Sequence, residues 1–402
     1  MSGNLKIRSI IPEELKHFIE LELRPFGRHP SDEFLWGEKR IHDSNRALVA
    51  TIDGDIVGTT SSHRFKMAVP GGVLPAAGVC GVGVMPTHRR KGILTQLMNS
   101  QLEKLHERDE PVSLLWASES AIFERFGYGM AGIVESWSID RRNTAFDHSP
   151  PNKGLLKYVE LEEARLLFPN VYERVWRNRP GMLRRHDALW DLRFLDSKEY
   201  RHGADPFFFV IYEINGTVDG YVIFRVNWRE GYLEVMELLA ATDEAHAALW
   251  RFCFDHDRTE TVKAINQPVD DPVPWMLANP RRLVRTPRDG IWVRLVDVTA
   301  ALSTRTYAVQ GRIVLEVSDP ICEWNQRRVE LQGGPDGADC RTTRKEPNLI
   351  LSAADLAAMY LGAARASILC QAGRVHADDP ETLKLANAMF AVERQPWCGD
   401  RF

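Results

Sequence analysis

The sequence predicts an α+β (α/β) protein of more than one domain, and three observations predict it. The chain has 402 residues, more than a single hydrophobic core usually serves. Helical and strand periodicities alternate along its first two thirds. The order of patterns in the first third also recurs in the second.

Composition narrows the class. The hydrophobic share of 44% and charged share of 26% are those of an ordinary globular protein. The net charge of -4, spread along the chain, gives no basic footprint, so no nucleic-acid partner is expected. The N-terminus lacks a signal-peptide core, and no apolar run reaches the roughly 18 residues of a membrane span. A cytoplasmic, soluble protein with no membrane partner is expected. Cys80, Cys253, Cys322, Cys340, Cys370 and Cys398 include no closely spaced pair, and no H-E-x-x-H is present. Reduced thiols and no metal are therefore expected.

The elements follow in order. A helix starts near Pro12, which suits a first turn. Residues 47–52 and 56–61 flank Asp53-Gly54-Asp55 as a hairpin. Residues 65–69 and 73–75 flank Pro70-Gly71-Gly72 as a second hairpin, and 76–84 is a further strand. A helix over 90–108, a strand over 112–117, a short helix over 118–126 and a strand over 134–139 complete this region. Turn formers around Asp147-His148-Ser149-Pro150-Pro151 end it, giving a first domain over 1–147. The second, over 148–290, opens with helical pattern from 162 to 195. Strands over 207–214 and 220–227 meet at Asn215-Gly216, and a strand over 232–240 and a helix over 243–257 follow. The third, over 291–402, carries strands over 291–296, 311–317 and 327–331, then helices over 353–369 and 379–392.

Chemistry concentrates at residues 77–105. An apolar strand with Gly81 and Gly83 runs through Pro86 into Thr87-His88-Arg89-Arg90-Lys91-Gly92. An amphipathic helix follows, with Ile93, Leu94, Leu97, Met98, Leu102 and Leu105 on one face. The first N–H groups of such a helix lack intrahelical partners and, with the helix dipole, favour an anion. Gly92 lets a phosphate approach the backbone, and the strand glycines leave room for a slender ligand arm. The spacing is neither a Walker loop nor a dinucleotide fingerprint.

The segment Val82-Gly83-Val84-Met85-Pro86-Thr87-His88-Arg89-Arg90-Lys91-Gly92-Ile93-Leu94 resembles the acetyl-CoA motif of the GNAT acetyltransferases. The resemblance implies that Val82, Gly83 and Val84 flank the thioester and pantetheine arm. It implies that Arg90, Lys91, Gly92, Ile93, Leu94 and Thr95 line the pyrophosphate turn. The segments Ala117-Ser118-Glu119-Ser120-Ala121-Ile122-Phe123-Glu124-Arg125-Phe126-Gly127-Tyr128-Gly129, Ile291–Val298, Val314–Asp319 and Asp355–Gly362 resemble the Eis (enhanced intracellular survival) family, in order across nearly the whole chain. That resemblance implies two tandem GNAT-like domains, the second degenerate, and a C-terminal domain of sterol-carrier-protein fold. It also implies a homohexamer that acetylates amines, with aminoglycosides, polyamine-type cations and lysine side chains as acceptor classes. Ser118 and Glu119 match family positions at the cofactor, although Ser118 also suits a helix cap.

Acetyl transfer needs a deprotonated amine, a polarised thioester carbonyl and a stabilised leaving thiolate. The family's base is the chain's own C-terminal carboxylate, which implies Phe402. The family places a tyrosine, the proton donor, where this chain has Phe123. Tyr128 lies about 140° around a helix from that position and roughly 7.5 Å along it. Three routes stay open: the thiolate leaves unprotonated or through water, Tyr128 or another hydroxyl serves, or this member is a weak or differently tasked enzyme. Asp32, Glu33 and Glu38 with Trp36 form either a cationic-substrate pocket or a charged surface helix. The second domain's equivalent turn, Ala241-Thr242-Asp243-Glu244-Ala245, is acidic, so one cofactor per chain is expected. The helix bearing Leu356, Met359, Tyr360 and Leu361 is core or subunit contact rather than a lipid site. Two alternatives to an active acetyltransferase are a CoA-binding regulatory protein and a lipid- or partner-binding assembly.

Overall fold

The protein, described by a computed structural model over residues 4–377 and 379–402, is organised around three sheets. The first has seven strands in the order Lys6–Ser9, Leu48–Ile52, Asp55–Val69, Gly72–Val84, Val112–Trp116, Ile291–Leu295, Gly129–Met130. The second, also seven-stranded, runs Val284–Asp289, Ile133–Asp140, Thr261–Pro268, Tyr232–Ala240, Thr217–Asn227, Phe208–Ile214, Leu155–Val159. The third runs Gly337–Thr342, Arg327–Gly334, Gly311–Ser318, Leu349–Ser352, Val375–Ala377. Each sheet pairs strands both parallel and antiparallel. The protein is thus α+β, with helices packed on three mixed sheets.

The first two sheets exchange strands. Ile133–Asp140, expected to close the first domain, pairs with Thr261–Pro268 and Val284–Asp289 in the second sheet. Ile291–Leu295, expected to open the third domain, pairs with Val112–Trp116 in the first sheet. The boundaries drawn at 147 and 290 cut across this exchange. The hairpin expected from residues 47–52 and 56–61 is present, and the second runs longer than expected, Asp55–Val69 against Gly72–Val84, taking in the strand expected over 76–84.

The third domain shares a core with the first sheet. Phe65, Leu114 and Val293 pack in one cluster with Leu315, Leu356 and Met359. Gly129 shows how close this approach is, because a Cβ there would lie 2.0 Å from the Ala354 carbonyl oxygen. The helix Ala353–Tyr360 is buried on every side, and Leu356, Met359, Tyr360 and Leu361 are core. Gly362, at φ +94°, separates it from Ala366–Gln371. The expected single helix over 353–369 is therefore two.

The splits in the first two sheets position everything that follows. Gly72–Val84 and Val112–Trp116 pair in parallel from Ala76–Val112 to Gly78–Leu114, and there the pairing stops. Tyr232–Ala240 and Thr261–Pro268 pair in parallel from Tyr232–Thr261 to Val235–Ala264, and stop likewise. Each domain therefore has a V-shaped gap between two neighbouring parallel strands, with a helix following the first of them: Ile93–Glu107 and Asp243–Phe254.

Candidate active site

The first gap begins with a bulge. Thr59 pairs with Gly83 and Ser61 with Cys80, so Gly81 and Val82 together face Thr60. Such an extra residue frees backbone groups from the ladder and re-aims them. Gly81 sits at φ +58°, and Thr59 Oγ1 donates to its carbonyl at 2.8 Å. The strand glycines answer to protein neighbours more than to a ligand arm. A Cβ on Gly81 would lie 1.8 Å from Glu22 Oε1, and one on Gly83 would lie 2.8 Å from Pro25 Cγ.

The strand leads into the basic turn. Arg90 and Gly92 both adopt left-handed backbone, at φ +63° and +77°. Gly92 is the N-cap of Ile93–Glu107 and supplies no side-chain cap. The first bond of the helix runs from the Gln96 N–H to the Gly92 carbonyl at 3.2 Å. The N–H groups of Ile93, Leu94 and Thr95 precede that bond and have no helical acceptor. Arg89 turns back to donate to the Pro25 carbonyl at 3.1 Å, while Arg90 and Lys91 are exposed. The helix holds this turn by burying Ile93, Leu97, Met98, Leu102 and Leu105 on the first sheet.

A cleft of about 470 Å³ runs between this turn and the start of the Ser120–Glu124 helix. It gathers Val82, Gly83, Val84, Arg90, Gly92, Ile93, Leu94, Thr95, Ser118 and Glu119 into one wall. Of the residues expected at the cofactor, Lys91 alone stands off this wall, exposed on the turn. Glu119 is the N-cap of Ser120–Glu124, so Ser118 is not a cap. The cleft also takes in Pro25, His88, Ile122, Phe123 and Arg125. Arg125 went unread because a single exposed arginine on a short helix carries no pattern. The geometry suits a CoA thioester: uncapped N–H groups and exposed cations at one end, a bulged strand at the other.

Tyr128 does not reach the cleft. It is fully buried, its hydroxyl bonded to Ser113 Oγ at 2.7 Å, with its ring edge-on to Phe123 at 6.1 Å. Burial raises its pKa, which suits a structural hydroxyl. The Gly127 turn (φ +79°), packed over the Arg294 guanidinium, directs it inward. Phe123 itself faces the cleft, so the side chain there is apolar.

The C-terminal tail crosses both gaps. In the second, Trp397 Nε1 donates to the Asn266 carbonyl at 2.7 Å and Asn266 Nδ2 donates to the Cys398 carbonyl at 3.0 Å. Trp397 N donates to the Pro180 carbonyl at 2.9 Å. Asp400 is then clamped by Arg185 Nε at 2.7 Å and Tyr172 Oη at 3.0 Å. Arg185 also forks onto Glu237, which bonds Tyr221 and Arg193 as well. Burial pushes the Glu237 carboxyl up, but Arg185 and Arg193 overrule it and hold it at about 2. In the first gap, Trp116 Nε1 donates to the Asp400 carbonyl at 2.9 Å and Arg401 lies over the Trp116 ring. The Phe402 ring reaches the opposite strand, 4.9 Å from Phe65 and 6.4 Å from His63, against Gly78. The tail thus bridges the gap where pairing ends.

Beneath the bulge lies a buried polar cluster that sequence reasoning missed. Cys80 Sγ is 3.1 Å from His63 Nε2 and 3.4 Å from Ser61 Oγ. His42 Nε2 is 3.3 Å from Glu22, and the two histidine rings stand edge-on at 4.9 Å. Burial and the neighbouring His42 push His63 down to about 3. His42 goes the other way: burial opposes its charge, but Glu22 wins and raises it. The acidic helix Asp32–Ile41 faces elsewhere: Glu33 bonds Ser197, Glu38 bonds His42, and Trp36 is exposed under Arg40.

These features define a class: an acyltransferase of the GNAT fold. Models of the acetyltransferase (GNAT) domain match residues 6–131 and 181–295, and one of the sterol carrier protein domain matches 298–399. An uncharacterised N-acetyltransferase of Streptomyces avermitilis is 39% identical over 86% of this chain and 87% of its own. The N-acetyltransferase Eis of Mycobacterium bovis is 37% identical over 84% of each chain. The crystal structure of Eis1 from Mycobacterium abscessus superposes with a TM-score of 0.87 at 30% identity, covering 99% of this chain and 100% of that one. The chain belongs to the Eis-type N-acetyltransferases of the GNAT superfamily, which are acetyl-CoA-dependent enzymes. Among the described residues no helix is long and apolar enough to cross a membrane.

Proposed function

We propose that this enzyme moves the acetyl group of acetyl-CoA directly to a primary amine of a cationic small molecule, of aminoglycoside or polyamine type, or of lysine. The Phe402 carboxylate acts as the base. The observation that carries this reading is the tail, fixed from Trp397 to Asp400 and laid across the gap between Trp116 and Gly78. Register carried past Gly78–Leu114 would set Trp116 opposite Cys80.

The roles follow from position. The N–H groups of Ile93, Leu94 and Thr95, with Arg90, Lys91 and Gly92, hold the pyrophosphate. Val82, Gly83 and Val84 flank the pantetheine arm, and a freed N–H at the bulge polarises the thioester carbonyl. Ser118 and Glu119 border the cofactor from the other side. The carboxylate takes the ammonium proton, the amine nitrogen bonds the carbonyl carbon and passes its second proton to water, and the carbon–sulfur bond breaks. The sulfur leaves as thiolate and takes its proton from water, because Phe123 has no hydroxyl and Tyr128 is sealed away.

One residue appended after Phe402 should cut turnover by orders of magnitude while acetyl-CoA binding persists. Unchanged turnover would overturn the carboxylate's role. A second reading, a weakly active or CoA-binding regulatory member, is favoured by Phe123 alone. A panel of polyamines and aminoglycosides separates the two by rate. The family's homohexamer is supported by the exposed Leu155, Tyr158 and Phe208 on neighbouring strands at one sheet edge, and sedimentation tests it. A cytoplasmic location accords with six free cysteines.

A further inference from the structure

The cluster beneath the bulge has the donor set and the support of a metal site. His42, His63 and Cys80 place one ligand atom each within 4.8 Å of one another. Glu22 brings a carboxylate oxygen to 3.3 Å from His42 Nε2. They come from separate elements: Glu22 from the Leu15–Leu23 helix, His42 from the end of Asp32–Ile41, His63 and Cys80 from paired strands. No local spacing motif exists, so sequence gave no sign of them.

We propose that Glu22, His42, His63 and Cys80 form a binding site for one divalent cation of the zinc class. The orientation of both imidazoles supports it. His63 Nδ1 is engaged by the Ile41 carbonyl at 3.1 Å, which turns Nε2 onto Cys80 Sγ. His42 Nδ1 is engaged by the Glu38 carbonyl at 3.0 Å, which turns Nε2 toward Glu22. A carbonyl behind each ring is the support that metal-ligating histidines use to fix tautomer and direction. One thiol, two imidazoles and one carboxylate match zinc's preference for four mixed N, S and O donors.

Size fits with small movement. Zinc bonds of about 2.0–2.3 Å in a tetrahedron set the donors roughly 3.3–3.7 Å apart. The largest separation among the three N and S donors, 4.8 Å, closes to that by side-chain shifts of about 1 Å. Access exists as well: Cys80 is partly exposed, and His63 lines a separate cleft of about 610 Å³. Binding would replace the Cys80 thiol proton with a sulfur–metal bond and release that proton to solvent. The site stands beside the Phe402 ring and under Gly81, so loading would bear on the reacting end of the cleft.

The test uses the full chain, reduced and stripped with chelator, titrated with Co²⁺ and then with Zn²⁺. One Co²⁺ per chain is expected, with a thiolate-to-cobalt charge-transfer band that Zn²⁺ abolishes. Cys80→Ser should lose that band, and His63→Ala should weaken binding by about 100-fold or more. A wild-type chain that gives no such band, or binds no metal in chelator competition, overturns the proposal. So does a band that survives in folded Cys80→Ser, because the thiolate then lies elsewhere. The wild-type stoichiometry and band decide the matter even if a variant fails to fold. None of these readouts depends on acetyl transfer.

Discussion

The two GNAT domains split their sheets in the same way and then use the gap oppositely. In the first, parallel pairing ends at Gly78–Leu114 and opens onto a cleft with a basic, uncapped helix terminus. In the second, pairing ends at Val235–Ala264 and the tail enters the opening, where Trp397 and Gly399 border a cleft of about 400 Å³ that ends at a capped, acidic helix terminus. The helix termini differ to match. Gly92 offers the first helix no side chain, whereas Thr242 Oγ1 accepts from the Ala245 N–H at 3.2 Å, and Asp243 and Glu244 follow. A side-chain cap consumes a donor that an anion would need, and the acids repel one. One fold thus presents an anion-favouring helix terminus where the cap is left open, and a footing for the tail where it is closed. The segment that enters the second gap is the one that reaches the first.

The comparison breaks most visibly at Trp397. Trp397→Ala removes a buried indole from the second gap, which should lower stability by about 3–5 kcal/mol. Turnover should fall further than acetyl-CoA affinity, since the tail loses its footing while the first cleft stays intact. Denaturant melts with steady-state kinetics check this, and equal losses in both would argue against the anchor. Next in size, Arg90→Glu gives the first turn the charge of the second. Losing a charge-assisted contact of about 1.5–3 kcal/mol should weaken acetyl-CoA binding roughly 10–100-fold, readable by calorimetry. The converse variant, Asp243→Arg with Glu244→Arg, should create no second site, because Thr242 still caps the helix.

A smaller effect comes with acid. Glu237 is held at about 2 against an ordinary 4.5, chiefly by Arg185 and Arg193 acting against burial. A depressed carboxylate contributes stability that is complete above its unfolded value and lost as pH falls through the folded one. The anchor should therefore hold above about pH 4.5 and loosen toward pH 2, seen as a falling Tm and faster proteolysis of the tail. Smallest, Phe123→Tyr restores a hydroxyl to the cleft wall. A rise of a few-fold in turnover is expected if water protonates the thiolate poorly, and no change would show that a donor there is dispensable.

What sequence revealed of this molecule was local. The strand, basic turn and helix of residues 77–105 are contiguous, and their charges and glycines are legible without a partner. The gathering of Val82, Arg90, Gly92 and Ser118 on one cleft follows from that contiguity and from the neighbouring parallel strand. The exchange of Ile133–Asp140 for Ile291–Leu295 was not legible, because pairing across more than a hundred residues leaves no periodicity. Val284–Asp289 was missed for a different reason: it is an exposed edge strand containing Pro287. Tyr128 was a candidate through its nearness in sequence to Phe123, although helix geometry sets it about 140° around the axis, and the Gly127 turn points it into the core. The Glu22–His42–His63–Cys80 cluster was invisible because its members meet only through tertiary packing.

The most direct measurement is the stoichiometry of acetyl-CoA on the intact chain by titration calorimetry, repeated with Arg90→Glu. A basic, uncapped terminus at one gap and an acidic, capped one at the other predict a single acetyl-CoA per chain, with its affinity collapsing in Arg90→Glu. Two molecules per chain, or one whose affinity ignores Arg90, would contradict the account.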